Sequence, residues 1–183
     1  MKRIFLLLTL LFSILSYSQK NNTPLTSFFK IEGFVDKIGV GYELPINDRL
    51  LLDLNTGIGG ANIISPNEIS YKLGKDNDIN YSGVFIKGQL RYYISRENRE
   101  NKNRSLVNNA GSFIGIQSKF NFNGNEDYIG KTLLTDVHFG QQLPLGTHFI
   151  FRYHIGVGYA NNFDLKYNTL YPAFNFAFGY TFK

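Results

Sequence analysis

Large apolar residues fall at every second position in stretch after stretch of this chain, and that period restricts what it can fold into. In residues 38–46, Ile38, Val40, Tyr42 and Leu44 share one face and Gly39, Gly41 and Glu43 the other. In 50–59, Leu50, Leu52, Leu54 and Ile58 oppose Leu51, Asp53, Asn55 and Gly57. In 81–95, Val84, Ile86, Leu90, Tyr92 and Ile94 oppose Phe85, Lys87, Gln89, Arg91 and Tyr93. Later come Ile114, Ile116, Phe120 and Phe122 against Gly115, Gln117, Lys119 and Asn121, then Leu133, Val137, Phe139 and Leu143 against Asp136, His138, Gly140 and Gln142. Phe149, Phe151, Tyr153, Ile155, Val157 and Tyr159 oppose Ile150, Arg152, His154, Gly156 and Gly158. The chain closes on Phe174, Phe176, Phe178, Tyr180 and Phe182 against Ala173, Asn175, Ala177, Gly179 and Thr181. A period of two is the mark of strands, because successive side chains of a strand point to opposite faces.

The chemistry of the two faces narrows the fold further. One face is a band of large aliphatic and aromatic residues, drawn from 17 Phe and 12 Tyr in a chain without Trp. The other mixes Gly, Asn, Gln and charges, which suits a narrow lumen better than a solvated exterior. An apolar outside, a polar inside and aromatic girdles are the pattern of a membrane barrel. Closure is then required, since every backbone polar group in a bilayer needs a partner. We therefore expect an all-β, antiparallel, up-and-down transmembrane β-barrel.

The N-terminus agrees with export. Lys2 and Arg3 precede an apolar run at 4–15, and Ser16-Tyr17-Ser18 places small residues before Gln19. This is the layout of a cleaved leader, and the run is too short for a spanning helix of roughly 20 residues. The expected organisation is a signal peptide at 1–18 and a single barrel domain at 19–183. Losing Lys2 and Arg3 lowers the formal charge from +5 to +3. The exported chain has no Cys, so its stability must come from burial or from a membrane rather than from disulfides.

The seven stretches, with residues 28–34 as a first strand, make eight. Eight is an even number that leaves both termini on one side. Residues 45–49 and 144–147 are short and rich in turn formers. The longer connections at 61–80, 122–131 and 161–170 fall on the opposite, extracellular side. The connection at 96–110 is long for its side. Its basic residues Arg96, Arg99, Lys102 and Arg104 read as a solvated loop.

On these features the chain resembles the small outer-membrane β-barrel proteins of the OmpA/OmpX type. Its closing run resembles the C-terminal signal read by the barrel-assembly machinery, with Tyr180 and Phe182 as the aromatics. The family pattern ends on the aromatic, whereas here Lys183 follows. The resemblance implies a monomer in the Gram-negative outer membrane, in contact with lipid and with the assembly machinery. It transfers fold and location better than activity.

The inward face carries Lys30, Lys87, Arg91, Lys119 and Arg152 against Glu32, Glu43, Asp53 and Asp136. An eight-stranded barrel is just wide enough to be filled by side chains, and confined charges must pair. An ion-pair network plugging the lumen is expected. Asp136, His138, Arg152 and His154 form a second, tighter cluster. A carboxylate orienting an imidazole is half of a hydrolytic triad, and lipid A-modifying barrels place such groups at the lumen edge. A nucleophile is lacking: Ser82, Ser112 and Ser118 face outward by parity, and Ser95 sits inward at the terminal side. Arg152-Tyr153-His154-Ile155-Gly156 does not supply an Arg-x-x-His-x-Ser pattern.

No Cys is present for zinc, and no P-loop lysine follows a glycine loop. The expectation is a barrel without catalytic residues, metal, cofactor or nucleic-acid partner, acting structurally or through a ligand of loop 61–80. A lipid A-modifying enzyme is the first alternative. A soluble calycin-like binder, with the apolar band turned inward, is the second.

Overall fold

The computed structural model describes residues 23–34, 37–59, 62–65, 68–71, 83–122, 131–164 and 166–182. The expected leader at 1–18, most of loop 61–80, the 123–130 connection and Lys183 lie outside them. Ten strands are described: β1 (Phe28–Phe34), β2 (Lys37–Pro45), β3 (Leu50–Gly59), β4 (Asn62–Ser65), β5 (Glu68–Tyr71), β6 (Val84–Tyr93), β7 (Gly111–Asn121), β8 (Thr132–Leu145), β9 (Phe149–Asn162) and β10 (Tyr167–Phe182). One short helix, α1 (Arg96–Asn101), and a 3-10 turn at Val107–Asn109 join β6 to β7. No helix among the described residues is long and apolar enough to cross a membrane.

Eight strands close into an antiparallel up-and-down barrel in the order β1-β10-β9-β8-β7-β6-β3-β2. The expected strand number and the all-β, antiparallel, up-and-down barrel architecture hold. β4 and β5 form a separate hairpin between β3 and β6, where the sequence reading placed only a loop. The segments Asn62–Ser65 and Glu68–Tyr71 are each too short to show a period, although Ile63, Ile64 and Ile69 favour strand.

The faces fall as the alternation requires. Ile155, Val157 and Phe174 point out and are 67%, 70% and 51% exposed, while Arg152 and His154 between them are buried. Aromatics gather at both rims of the outer surface. Phe149, Tyr180 and Phe182 touch near the chain end, and Phe120 packs with Phe122 and Phe163 at the other rim. Between them the band is mainly Ile, Val and Leu on β2, β3, β6 and β7, and aromatic along β10 through Phe174, Phe176 and Phe178.

Turn chemistry sets the register at the end that carries the chain terminus, here termed the terminal end. Asn47 Oδ1 accepts from the N–H groups of Arg49 and Leu50 at 2.9 and 2.8 Å, holding the β2–β3 turn. Gly146 takes φ +78° between β8 and β9, a conformation open to glycine at no steric cost.

The β9–β10 connection is shorter than the sequence reading of 161–170. Pairing continues in register to Asn162↔Tyr167, so β10 begins well before Pro172. The reason is geometric. Thr181 N–H donates to His148 O, so odd-numbered residues of β10 bond toward β9 and Pro172 turns its missing N–H the other way. On that side the pairing with β1 has already ended, at Gly33↔Phe178, and no bond to β1 is lost.

Candidate functional site in the barrel lumen

The long 96–110 connection has a structural task that the alternation did not disclose. It folds back under the terminal end and closes the lumen. Arg96 is buried, and its guanidinium donates to the carbonyl oxygens of Ala110, Thr23 and Pro24 at 3.3, 2.9 and 3.2 Å. Burial lowers its pKa from the ordinary value. Asn109 donates to Glu43 Oε2 at 2.9 Å, and Asn108 O accepts from Gln142 Nε2 at 2.7 Å. Below them Leu25, Leu51, Tyr93 and Phe113 form an apolar floor. The reading of 96–104 as a solvated loop holds for Lys102 and Arg104, which are exposed, and is corrected for Arg96. The usable signal was the asparagines: Asn103, Asn108 and Asn109 adopt φ of 51°, 53° and 54°, a left-handed region that Asn tolerates better than most residues.

Above the floor, six charges from five strands meet. Asp53 Oδ2 accepts from Lys30 Nζ at 2.8 Å, Arg91 Nη2 at 3.0 Å and Arg152 Nη1 at 2.8 Å. Arg91 Nη2 also donates to Glu43 Oε1 at 2.6 Å, and Arg152 Nη2 donates to both oxygens of Glu32 at 2.7 and 2.6 Å. Lys30 reaches Glu32 and Glu43 at 2.9 and 3.0 Å, and Lys87 joins at Glu32 Oε1, 2.9 Å away. All these groups lie at the barrel axis with little or no exposure. Their charges are confined, and each has opposite charge within hydrogen-bond reach, as burial demands. Lys119 lies nearer the opposite, loop end, with Nζ 4.9 Å from the Phe85 ring centroid.

The second cluster also assembles. His138 Nδ1 lies 2.5 Å from Asp136 Oδ1, and the Gln89 amide donates to His138 Nε2 at 2.7 Å. Asp136 Oδ2 accepts from Gln117 at 2.9 Å and from Tyr171 OH at 3.1 Å. His154 stacks on His138 with centroids 3.9 Å apart. Arg152, grouped with these residues on sequence, is drawn into the ion-pair network. Room for the imidazoles comes from glycine: His138 pairs across from Gly115 and Gly156, and a Cβ at either would overlap His138.

Chemically the cluster is closed on itself. Asp136, His138 and His154 offer donor atoms within 4.8 Å of one another, a set that suits a borderline divalent ion. Both His138 nitrogens and both Asp136 oxygens are spent on protein hydrogen bonds, however. For acyl transfer the described residues supply no serine here. Ser118 hydrogen-bonds Thr135 on the outer surface, and Ser95 Oγ accepts from Ser112 N–H at the terminal end; Ser82 lies outside the described residues. Tyr180 and Phe182 sit on the outer face at the rim, away from both clusters.

Together these features define a closed eight-stranded antiparallel barrel with an apolar exterior, a charged interior and one sealed end. No family model, curated protein sequence or solved structure matches the chain.

Proposed function

We propose that the mature chain is an integral outer-membrane barrel of the OmpA/OmpX kind, non-enzymatic, with a plugged lumen, acting structurally or through its loop end. The observation that carries this reading is the inverted polarity. Aliphatic and aromatic side chains cover the outside, and the charges pair at the axis. In water such a surface is an aggregation liability, whereas in lipid it is the required one. The strands β2, β3, β6 and β7, of 9, 10, 10 and 11 residues, match the roughly 9–11 that a tilted strand needs to cross a bilayer.

A calycin-like soluble binder needs its apolar residues inside, and that arrangement is the reverse of this one. In the membrane reading, Tyr180 and Phe182 are the aromatics presented to the assembly machinery. Fractionation of cells with and without heating of the extract tests the proposal. A folded barrel in the outer-membrane fraction that migrates differently before and after boiling supports it. Recovery of folded protein in the soluble periplasmic fraction would remove it.

A further inference from the structure

The outer side of the 96–110 connection takes no part in the lumen. Arg96, Asn108 and Asn109 are buried, whereas Lys102 and Arg104 are exposed, and Val107 is 41% exposed beside the half-buried Leu106. Arg104 N–H donates to Arg99 O at 2.8 Å, which folds the chain back after α1 and brings the two arginines together. The Arg99 guanidinium is held against this turn by Ser105 O, which accepts from Nε at 3.2 Å and from Nη2 at 2.8 Å. Burial, and after it the Arg104 charge, lowers the pKa of Arg99 from its ordinary value.

The acids of this end are engaged elsewhere. Glu97 pairs with Arg49 at 3.2 Å, and Glu100 Oε1 accepts from Thr23 Oγ1 at 2.6 Å. Asp48, on the β2–β3 turn, lies within electrostatic reach of Arg96. Lys102 and Arg104 meet no carboxylate side chain among the described residues. The sequence has no acidic side chain in residues 1–22 or at 183.

Asn108 fixes the height of these cations along the barrel. Its Nδ2 donates to Thr147 O at 2.9 Å, and its Oδ1 accepts from Thr181 Oγ1 at 3.4 Å. Thr181 stands between Tyr180 and Phe182, two members of the terminal aromatic rim, and such rims sit at the membrane–water interface. Cations and an exposed aliphatic edge therefore meet at the height of the headgroups. That combination suits a lipid surface better than an acidic polypeptide.

We propose that the outer side of the 96–110 connection recruits a net-anionic glycerophospholipid by its headgroup phosphate, with Lys102 and Arg104 as the binding cations and Arg99 behind them. The inference rests on the membrane reading, since the bilayer supplies such a lipid at this height. A zwitterionic head offers the same phosphate but carries its own cation, which the excess of lysine and arginine repels.

The chain has no Trp, so a single introduced indole is a clean reporter. Val107→Trp reports from the connection and Ile155→Trp, in a separate barrel, from the outer wall. Both are reconstituted in vesicles of equal parts phosphatidylcholine and phosphatidylglycerol, with bromine on the acyl chains of one lipid or the other. Heat-dependent migration shows that each barrel is folded. Either label should quench Ile155→Trp to the same extent, which reads insertion. At Val107→Trp the phosphatidylglycerol label should dominate, with an enrichment of about fivefold, the factor set by one cation's attraction to an anionic surface. The enrichment should fall at about 1 M salt, where the Debye length is about 3 Å. Lys102→Gln and Arg104→Gln together, both at exposed positions, should bring it close to one.

Equal quenching by the two labels at Val107→Trp, in vesicles where Ile155→Trp quenches, overturns the lipid proposal and leaves the membrane reading standing. If soluble polyglutamate then shifts the Val107→Trp emission, the face belongs to an acidic chain instead. Absence of quenching at Ile155→Trp overturns insertion itself. An unchanged preference in the variant lacking both Lys102 and Arg104 overturns the assignment to these cations.

Discussion

Asn109, on the connection between β6 and β7, donates its side-chain amide to Glu43 Oε2 inside the barrel at 2.9 Å. The same Glu43 presents Oε1 to Lys30 and Arg91. A segment without any strand period is thereby tied to the charge network that fills the lumen, and its length is explained by the reach needed to cross the barrel mouth.

Asn109→Gly should lower stability by about 1–3 kcal/mol, because Glu43 Oε2 is left buried with only the long Gln142 contact. Glycine keeps the positive φ of 54°, so the loss reads the side chain. Asn109→Ala should cost more, since alanine at that φ adds strain. Urea unfolding of both variants in lipid vesicles checks the order; equal midpoints for the parent and Asn109→Gly would show that the connection does not brace the lumen.

Asp53→Asn removes the charge on which three cations converge. Stranding buried cations should cost about 3–5 kcal/mol. Adding Lys30→Met should recover part of that loss, because one unpaired charge goes with it, and the double-mutant cycle should show coupling. Strict additivity of the two substitutions would contradict a shared network.

The two stacked imidazoles should respond differently. His138 bonds Asp136 and Gln89, whereas His154 Nδ1 has no partner among the described residues. His138→Phe should therefore cost about 1–3 kcal/mol by orphaning Asp136 and Gln89. His154→Phe should be close to neutral or stabilising, since the ring stack survives and an unsatisfied buried atom disappears. If instead His138→Ala abolishes a lipid-modifying activity at an unchanged level of folded protein, the enzymatic alternative gains and the packing account fails.

Ile155, 67% exposed on β9, lies in the middle of the outward apolar band, between Phe139 and Phe174. Ile155→Arg should weaken bilayer insertion by about 2–4 kcal/mol if the band sits at mid-membrane. Folding titrations into vesicles measure it, with Arg placed at exposed Asn168 near the rim as the control that should change little. Matching values at both positions would argue against a lipid-facing band.

The sequence by itself determined which side chains face the axis, because a two-residue period leaves each strand one choice once a face is apolar. It determined seven of the eight barrel strands on the same ground, with 28–34 supplied only by the need for an even number, and it paired Asp136 with His138, two residues apart on one strand. Partners across the lumen were decided only by the closed structure. Arg152 meets Glu32 across a separation of 120 residues, and nothing local to either strand encodes that distance. Barrel closure and register set it.

The same holds for Gln89 against His138, for the glycines opposite that imidazole, and for Pro172, which is tolerated because β1 is short. The 96–110 plug was hidden for a related reason. Its residues carry no period, so their burial is set by the mouth they cover, and the left-handed backbone of Asn103, Asn108 and Asn109 emerged only with the structure.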